Sequence, residues 1–162
     1  MRYQQAESSV VWDALANRPY RKVVPDFVLI ERGTVRARLA IDAKYKLYDE
    51  RKVQPADIYQ MFLYSYAYAE DVELPWAVLI YPSENLGGLS SHLQIRTVAK
   101  SPRASLFVMG INIPLFLETL KARDTSPAIT NLGRTLAEYF TSEGAGTKKV
   151  FATLRGGVPS PM

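Results

Sequence analysis

Three charged residues sit inside two otherwise apolar, strand-like runs: Asp26 in VVPDFVLIERG, and Asp42 and Lys44 in LAIDAKYK. Ionised side chains are costly to bury, so a strand that keeps them has a use for them. Side chains two apart in a strand share a face, which puts Asp42 and Lys44 on one side, separated by about 6.6 Å of backbone. Leu39, Ile41, Ala43 and Tyr45 take the other side. On the preceding strand Asp26 shares its face with Val28 and Ile30, and antiparallel pairing would bring it close to Asp42. Two such carboxylates repel unless a divalent cation binds both. Lys44 beside them would suit phosphate chemistry, by stabilising anionic charge on the scissile group or by helping to orient and deprotonate a water. The plain alternative is a Pro-Asp turn followed by a charged, exposed strand edge.

The elements that must position these residues can be read from the pattern. Residues 22–31 and 36–46 read as strands joined by ERGT, where Gly33 supplies a permissive backbone, so they form a hairpin. QPADIYQMFLYSYAYAED has Pro55 just inside a helix start and no breaker before Pro75, which predicts about four helical turns packed on more than one side. PWAVLIYP reads as a short buried strand and SENLGGLSSH as a loop. LQIRTVAK and ASLFVMGINI alternate like strands, and PLFLETLKAR is a short helix. SPAITNLGRTLAEYF, with Ser126 as N-cap and Leu132, Leu136, Tyr139 and Phe140 on one stripe, is an amphipathic helix. The order predicts a mixed sheet flanked by helices in one α/β domain over residues 1–141, with residues 142–162 a loose tail.

The 162 residues suffice for a core without disulfides or structural metal. No apolar run reaches the roughly 18 to 20 residues of a membrane span, and the N-terminus lacks a secretory pattern, so a cytoplasmic protein is expected. The absence of cysteine excludes thiolate metal sites and cysteine nucleophiles, leaving oxygen to hold any metal. Twenty Lys plus Arg against sixteen Asp plus Glu give a net charge of +4, compatible with a polyanionic partner. The sole histidine, His92, falls in the Ser/Gly-rich loop and is read as a surface residue, which argues against histidine-based nucleases and Ser-His-Asp hydrolases. No GxxxxGK[ST] occurs, so nucleotide hydrolysis would belong to another chain. The tyrosines, Tyr45, Tyr48, Tyr59, Tyr66 and Tyr81 among them, are read as core residues ahead of base-stacking ones.

Pro25-Asp26 followed by Asp42-Ala43-Lys44 on a hairpin resembles the PD-(D/E)XK signature of the restriction-endonuclease-like superfamily. Gln60 and Tyr64, four apart and so on one helical face with Asp57, resemble the QxxxY helix of RecB-like nucleases. A Gln amide in an apolar helix needs a partner, which a water, the lysine or a phosphate would supply; otherwise Gln60 caps a strand edge and Tyr64 is core. In order, VVPDFVLIERG, LAIDAKYK, DIYQMFLYSYAY and AVLIYP are similar to the nuclease-subunit (McrC) family of McrBC-type 5-methylcytosine restriction systems, over roughly residues 22–118.

That resemblance implies a restriction-endonuclease-like fold and a Mg²⁺-dependent (or Mn²⁺-dependent) DNA endonuclease recruited by a GTP-hydrolysing AAA+ motor subunit. Asp26, Asp42 and the carbonyl of Ala43 would be metal ligands, Lys44 the catalytic lysine, and Gln60 and Tyr64 supporting residues. The superfamily also commonly takes a Glu from a helix before the first strand, a place only Glu7 could fill. Family members carry a long motor-engaging N-terminal region that the residues ahead of position 22 do not supply, which leaves a C-terminal fragment, a stand-alone nuclease or a decayed remnant as possible forms. The rival reading is a catalytically weak DNA-binding or assembly module on the same fold. An RNA nuclease or junction resolvase is a third.

Overall fold

The computed structural model describes residues 2–3, 6–30, 38–68, 74–85 and 88–121. The chain divides into two compact units, Met1–Glu118 and Thr119–Met162, and of the second only residues 119–121 are described. The expected 126–140 helix and the 142–162 tail, with the boundary after residue 141, lie outside the described residues, as does the ERGT turn.

The first unit is built on a mixed six-stranded sheet. Its strands are β1 (Arg2–Tyr3), β4 (Phe27–Ile30), β5 (Arg38–Ala43), β6 (Trp76–Pro82), β7 (Gly88–Arg96) and β8 (Pro102–Ile111), in the order β1-β4-β5-β6-β8-β7. Strand β4 pairs antiparallel with β5, while β5, β6 and β8 run parallel in the middle. This is the mixed α/β sheet expected, compatible with a restriction-endonuclease-like fold. Helix α1 (Pro55–Tyr68) connects β5 to β6, since parallel neighbours need a long crossover that a tight turn cannot supply. It packs on the face formed by Val28, Ala40, Ala77, Leu79, Tyr81, Leu106 and Val108, against which Met61, Tyr64 and Tyr68 are buried. A second helix, α2 (Ile113–Lys121), follows β8.

A separate two-stranded sheet pairs β2 (Glu7–Asp13) with β3 (Arg18–Val23). Sequence patterning does not show it, because nearly every residue of β3 is exposed and no apolar alternation marks it. Its turn is held by the Asp13 carboxylate, which accepts from the backbone N–H groups of Leu15 (3.1 Å) and Ala16 (2.9 Å), and by Asn17 at φ 49°, a left-handed conformation that Asn tolerates. Glu7 opens this strand instead of lying on a helix, so the placement expected for a helical acidic ligand does not exist.

Two other expectations change. Strand β7 begins at Gly88, so His92 is a strand residue; it is half-buried and stacked on Phe107 with ring centroids 4.5 Å apart. The tyrosines also divide. Tyr48 and Tyr81 are in the core, whereas Tyr45, Tyr59 and Tyr66 are exposed.

Candidate active site

Asp42 is the next-to-last residue of β5 and, although charged, is only 4% exposed. Val28 pairs with Ala40 and Phe27 with Ile41, so continuing the register by one step sets Asp26 opposite Asp42. The Asp26 carboxylate is then fixed by the sheet itself, its Oδ2 accepting the Ala43 N–H at 2.7 Å. Both aspartates therefore meet at the same end of the β4–β5 ribbon, on the side covered by α1.

Lys44 lies just past β5, but its backbone N–H continues the ladder to the Ile80 carbonyl at 2.8 Å. That bond keeps the backbone extended and Lys44 on the face of Asp42. Its Nζ stands 2.7 Å from Asp42 Oδ2 and 3.7 Å from Asp57 Oδ1, and donates to Gln60 Oε1 at 2.7 Å. Burial alone would lower the Lys44 pKa, but the Asp42 pair, helped by Asp57 and Tyr64, overrides it and raises the pKa. Lys44 is consequently an ammonium at neutral pH, suited to stabilising negative charge rather than removing a proton.

Helix α1 presents the next layer at one-turn intervals. Gln60 Nε2 donates to the Tyr64 hydroxyl at 2.6 Å, and that hydroxyl donates to the Val24 carbonyl at 2.8 Å. This chain fixes the amide so that its oxygen faces Lys44. One turn further, the Tyr68 hydroxyl donates to the Val23 carbonyl at 3.2 Å, so two tyrosines hold the segment that delivers Asp26. The first turn contributes Asp57, which is buried. Its Oδ2 accepts from Lys46 Nζ at 2.8 Å and from the Tyr48 hydroxyl. Burial opposes its ionisation, yet Lys46 and Tyr48, with Lys44 adding, hold its carboxyl below the usual range.

All the expected residues, Asp26, Asp42, Ala43, Lys44, Gln60 and Tyr64, are thus gathered at one place. Lys46, Asp57 and Tyr68 were not anticipated as part of it. Two spacings carried the signal: Asp57 three before Gln60, and Tyr68 four after Tyr64.

The donor set can be tested against a hard cation. Asp42 Oδ2 is buried, and its close contact is the Lys44 ammonium at 2.7 Å. Burial first, and then the charges of Asp26 and Asp57, push the Asp42 carboxyl above its ordinary pKa in spite of Lys44. A divalent cation held by both aspartates would relieve that penalty. Among the described residues no group of three or more His, Cys, Asp or Glu side chains gathers as a metal cage. Two carboxylates and a carbonyl suit Mg²⁺ or Mn²⁺, since Mg²⁺ commonly binds through one or two carboxylates and keeps several waters.

The family model for the McrBC 5-methylcytosine restriction system component matches residues 1–82, just over half of the chain. The chain belongs to that family. None of the curated proteins matches this McrBC family member. Among solved structures, it is similar to a chain of the refined half-complex from the tetradecameric assembly of Thermococcus gammatolerans McrB AAA+ hexamers with bound McrC, at 20% identity and a TM-score of 0.39. That match covers 68% of this chain and 22% of the other, so the chain spans less than a quarter of that relative's length. Among the described residues, no helix of this family member is long and apolar enough to cross a membrane.

Proposed function

We propose that this McrBC-family component is a Mg²⁺-dependent (or Mn²⁺-dependent) DNA endonuclease of the PD-(D/E)XK type. The observation that carries the reading is the buried Asp42 carboxylate, set beside an anchored Asp26 and a charged Lys44. A structural ion pair needs one carboxylate for its ammonium; here a second carboxylate converges on the same place.

Asp26, Asp42 and the Ala43 carbonyl would hold the cation. When bound, it supplies neutralisation of phosphate charge and activation of a water. The Ala43 N–H keeps the Asp26 carboxylate turned toward Asp42. Lys44 donates to the anionic oxygen of the scissile phosphate, where charge builds during in-line displacement. Gln60 aims the lysine and Tyr64 aims Gln60. Exposed Arg18, Arg21 and Lys22, with Lys46, Arg51 and Lys52, would follow the phosphate backbone without reading sequence.

An AAA+ motor, expected to hydrolyse GTP, is proposed as the partner; family membership supports it, as the relative above is described with bound McrB AAA+ hexamers. A nucleic-acid-processing component of this kind acts in the cytoplasm.

The test is nicking of supercoiled DNA by the purified chain with and without Mg²⁺ and with and without a cognate motor. Cleavage that needs Mg²⁺ and drops by at least about a hundredfold in Lys44→Ala, with the fold retained, is the expected result. Retention of DNA with no cleavage under any of these conditions would instead establish a binding or assembly module.

A further inference from the structure

Lys44 and a bound cation want the same atom. The ammonium sits 2.7 Å from Asp42 Oδ2, an oxygen that the cation reading uses, and two positive centres on one oxygen repel each other and weaken the hold of both. The lysine therefore gains by having somewhere else to go. The described network offers two acceptors within its reach. Gln60 Oε1 is already bonded at 2.7 Å, and Asp57 Oδ1 stands 3.7 Å away.

Asp57 is built to wait for it. Its carboxylate is 6% exposed, at the first turn of α1, where a negative charge is favoured by the helix dipole. Lys46 and Tyr48 both bond Oδ2, which locks the group and leaves Oδ1 toward Lys44. The charge balance points the same way. Two lysines, Lys44 and Lys46, face three aspartates, Asp26, Asp42 and Asp57, so the cluster is one negative charge in excess and gains by taking up a cation while keeping both lysines.

We propose that Asp57 is a positioning residue that takes over the Lys44 ammonium from Asp42 when a divalent cation binds the aspartate pair. The swing is short, pivots on the Gln60 oxygen, and leaves the ammonium on the phosphate side with its charge intact. Without Asp57, Lys44 stays on Asp42 and competes with the cation. This rests on the cation-dependent reading above, and the experiment separates the two.

Mn²⁺ binding to the full chain, followed by the paramagnetic resonance of the free ion, is measured for wild type, Asp57→Asn, Lys44→Met and the double variant. Asp57→Asn should weaken binding roughly two- to fivefold, about the worth of one partly exposed ion pair, and Lys44→Met should tighten it. In the Lys44→Met background most of the Asp57→Asn effect should vanish, because the competitor is gone. An equal loss in both backgrounds, or none in either, overturns the proposal while leaving the cation site standing. No binding by wild type overturns the cation reading, and this proposal with it. Because Asp57→Asn removes a buried charge and risks misfolding, a wild-type crystal structure with Ca²⁺ gives an independent answer. Lys44 Nζ hydrogen-bonded to Asp57 supports the handover, and Nζ still on Asp42 overturns it.

Discussion

Tyr64 does two jobs with one oxygen: it accepts from the Gln60 amide and donates to the Val24 carbonyl. Tyr64→Phe would leave both partners short of a bond in a buried setting, at a cost of about 1–2 kcal/mol in denaturant unfolding. The freed amide would no longer be held with its oxygen toward Lys44, so single-turnover cleavage should also fall about tenfold. Lost stability with unchanged cleavage would make Tyr64 a brace only. At this scale the sequence is informative where chemistry follows a local period. Asp42 and Lys44 share a strand face, and Gln60 and Tyr64 share a helix face, so each pair could be read from spacing. The contacts of Lys46 and Tyr48 with Asp57 could not, because that meeting depends on where the first turn of α1 docks after an irregular stretch of chain.

The elements repeat that contrast. The β4–β5 ribbon, α1, β6 and β8 were legible because their apolar patterns are continuous and their ends are marked by Pro or Gly. The β2–β3 pair was not, since its strands are mostly exposed and its turn depends on a side-chain cap. The start of β7 was obscured by Gly and Ser, residues that suit a loop but here lie along β8. His92 on that strand gives a pH test. Burial lowers its pKa, so the unfolded chain binds more protons as pH falls. Stability from the neutral ring should be fully present above about pH 6.5 and be lost as pH drops through the lowered folded value. Urea melts at pH 7 and pH 5 should show a smaller difference for His92→Phe than for wild type. Gly110 tests the packing between β8 and the end of β6: a Cβ there would lie 2.8 Å from Ser83 Cβ. Ser83 also donates to Asp49 at 2.8 Å, so Gly110→Ala should cost about 1–3 kcal/mol and loosen the loop that carries Lys46, readable as faster amide exchange there.

For the whole molecule, a ligand that binds only the folded form stabilises it by mass action, about 2.7 kcal/mol at a hundred times its dissociation constant. Saturating Mg²⁺ or Mn²⁺ should therefore raise the melting temperature of wild type, and a chelator should reverse the rise. Asp42→Asn should show no shift. An equal shift in both would place the cation elsewhere.

The side chains of the site all lie between Asp26 and Tyr68, yet the ladder bond that keeps Lys44 in place comes from Ile80 on β6. During synthesis, then, every reactive group is joined to the chain before the strand that aligns them exists. A chain ending ahead of Trp76 would own the full set of ligands without the bond that sets Lys44 beside them, so the site is completed from a part of the sequence that supplies none of its side chains.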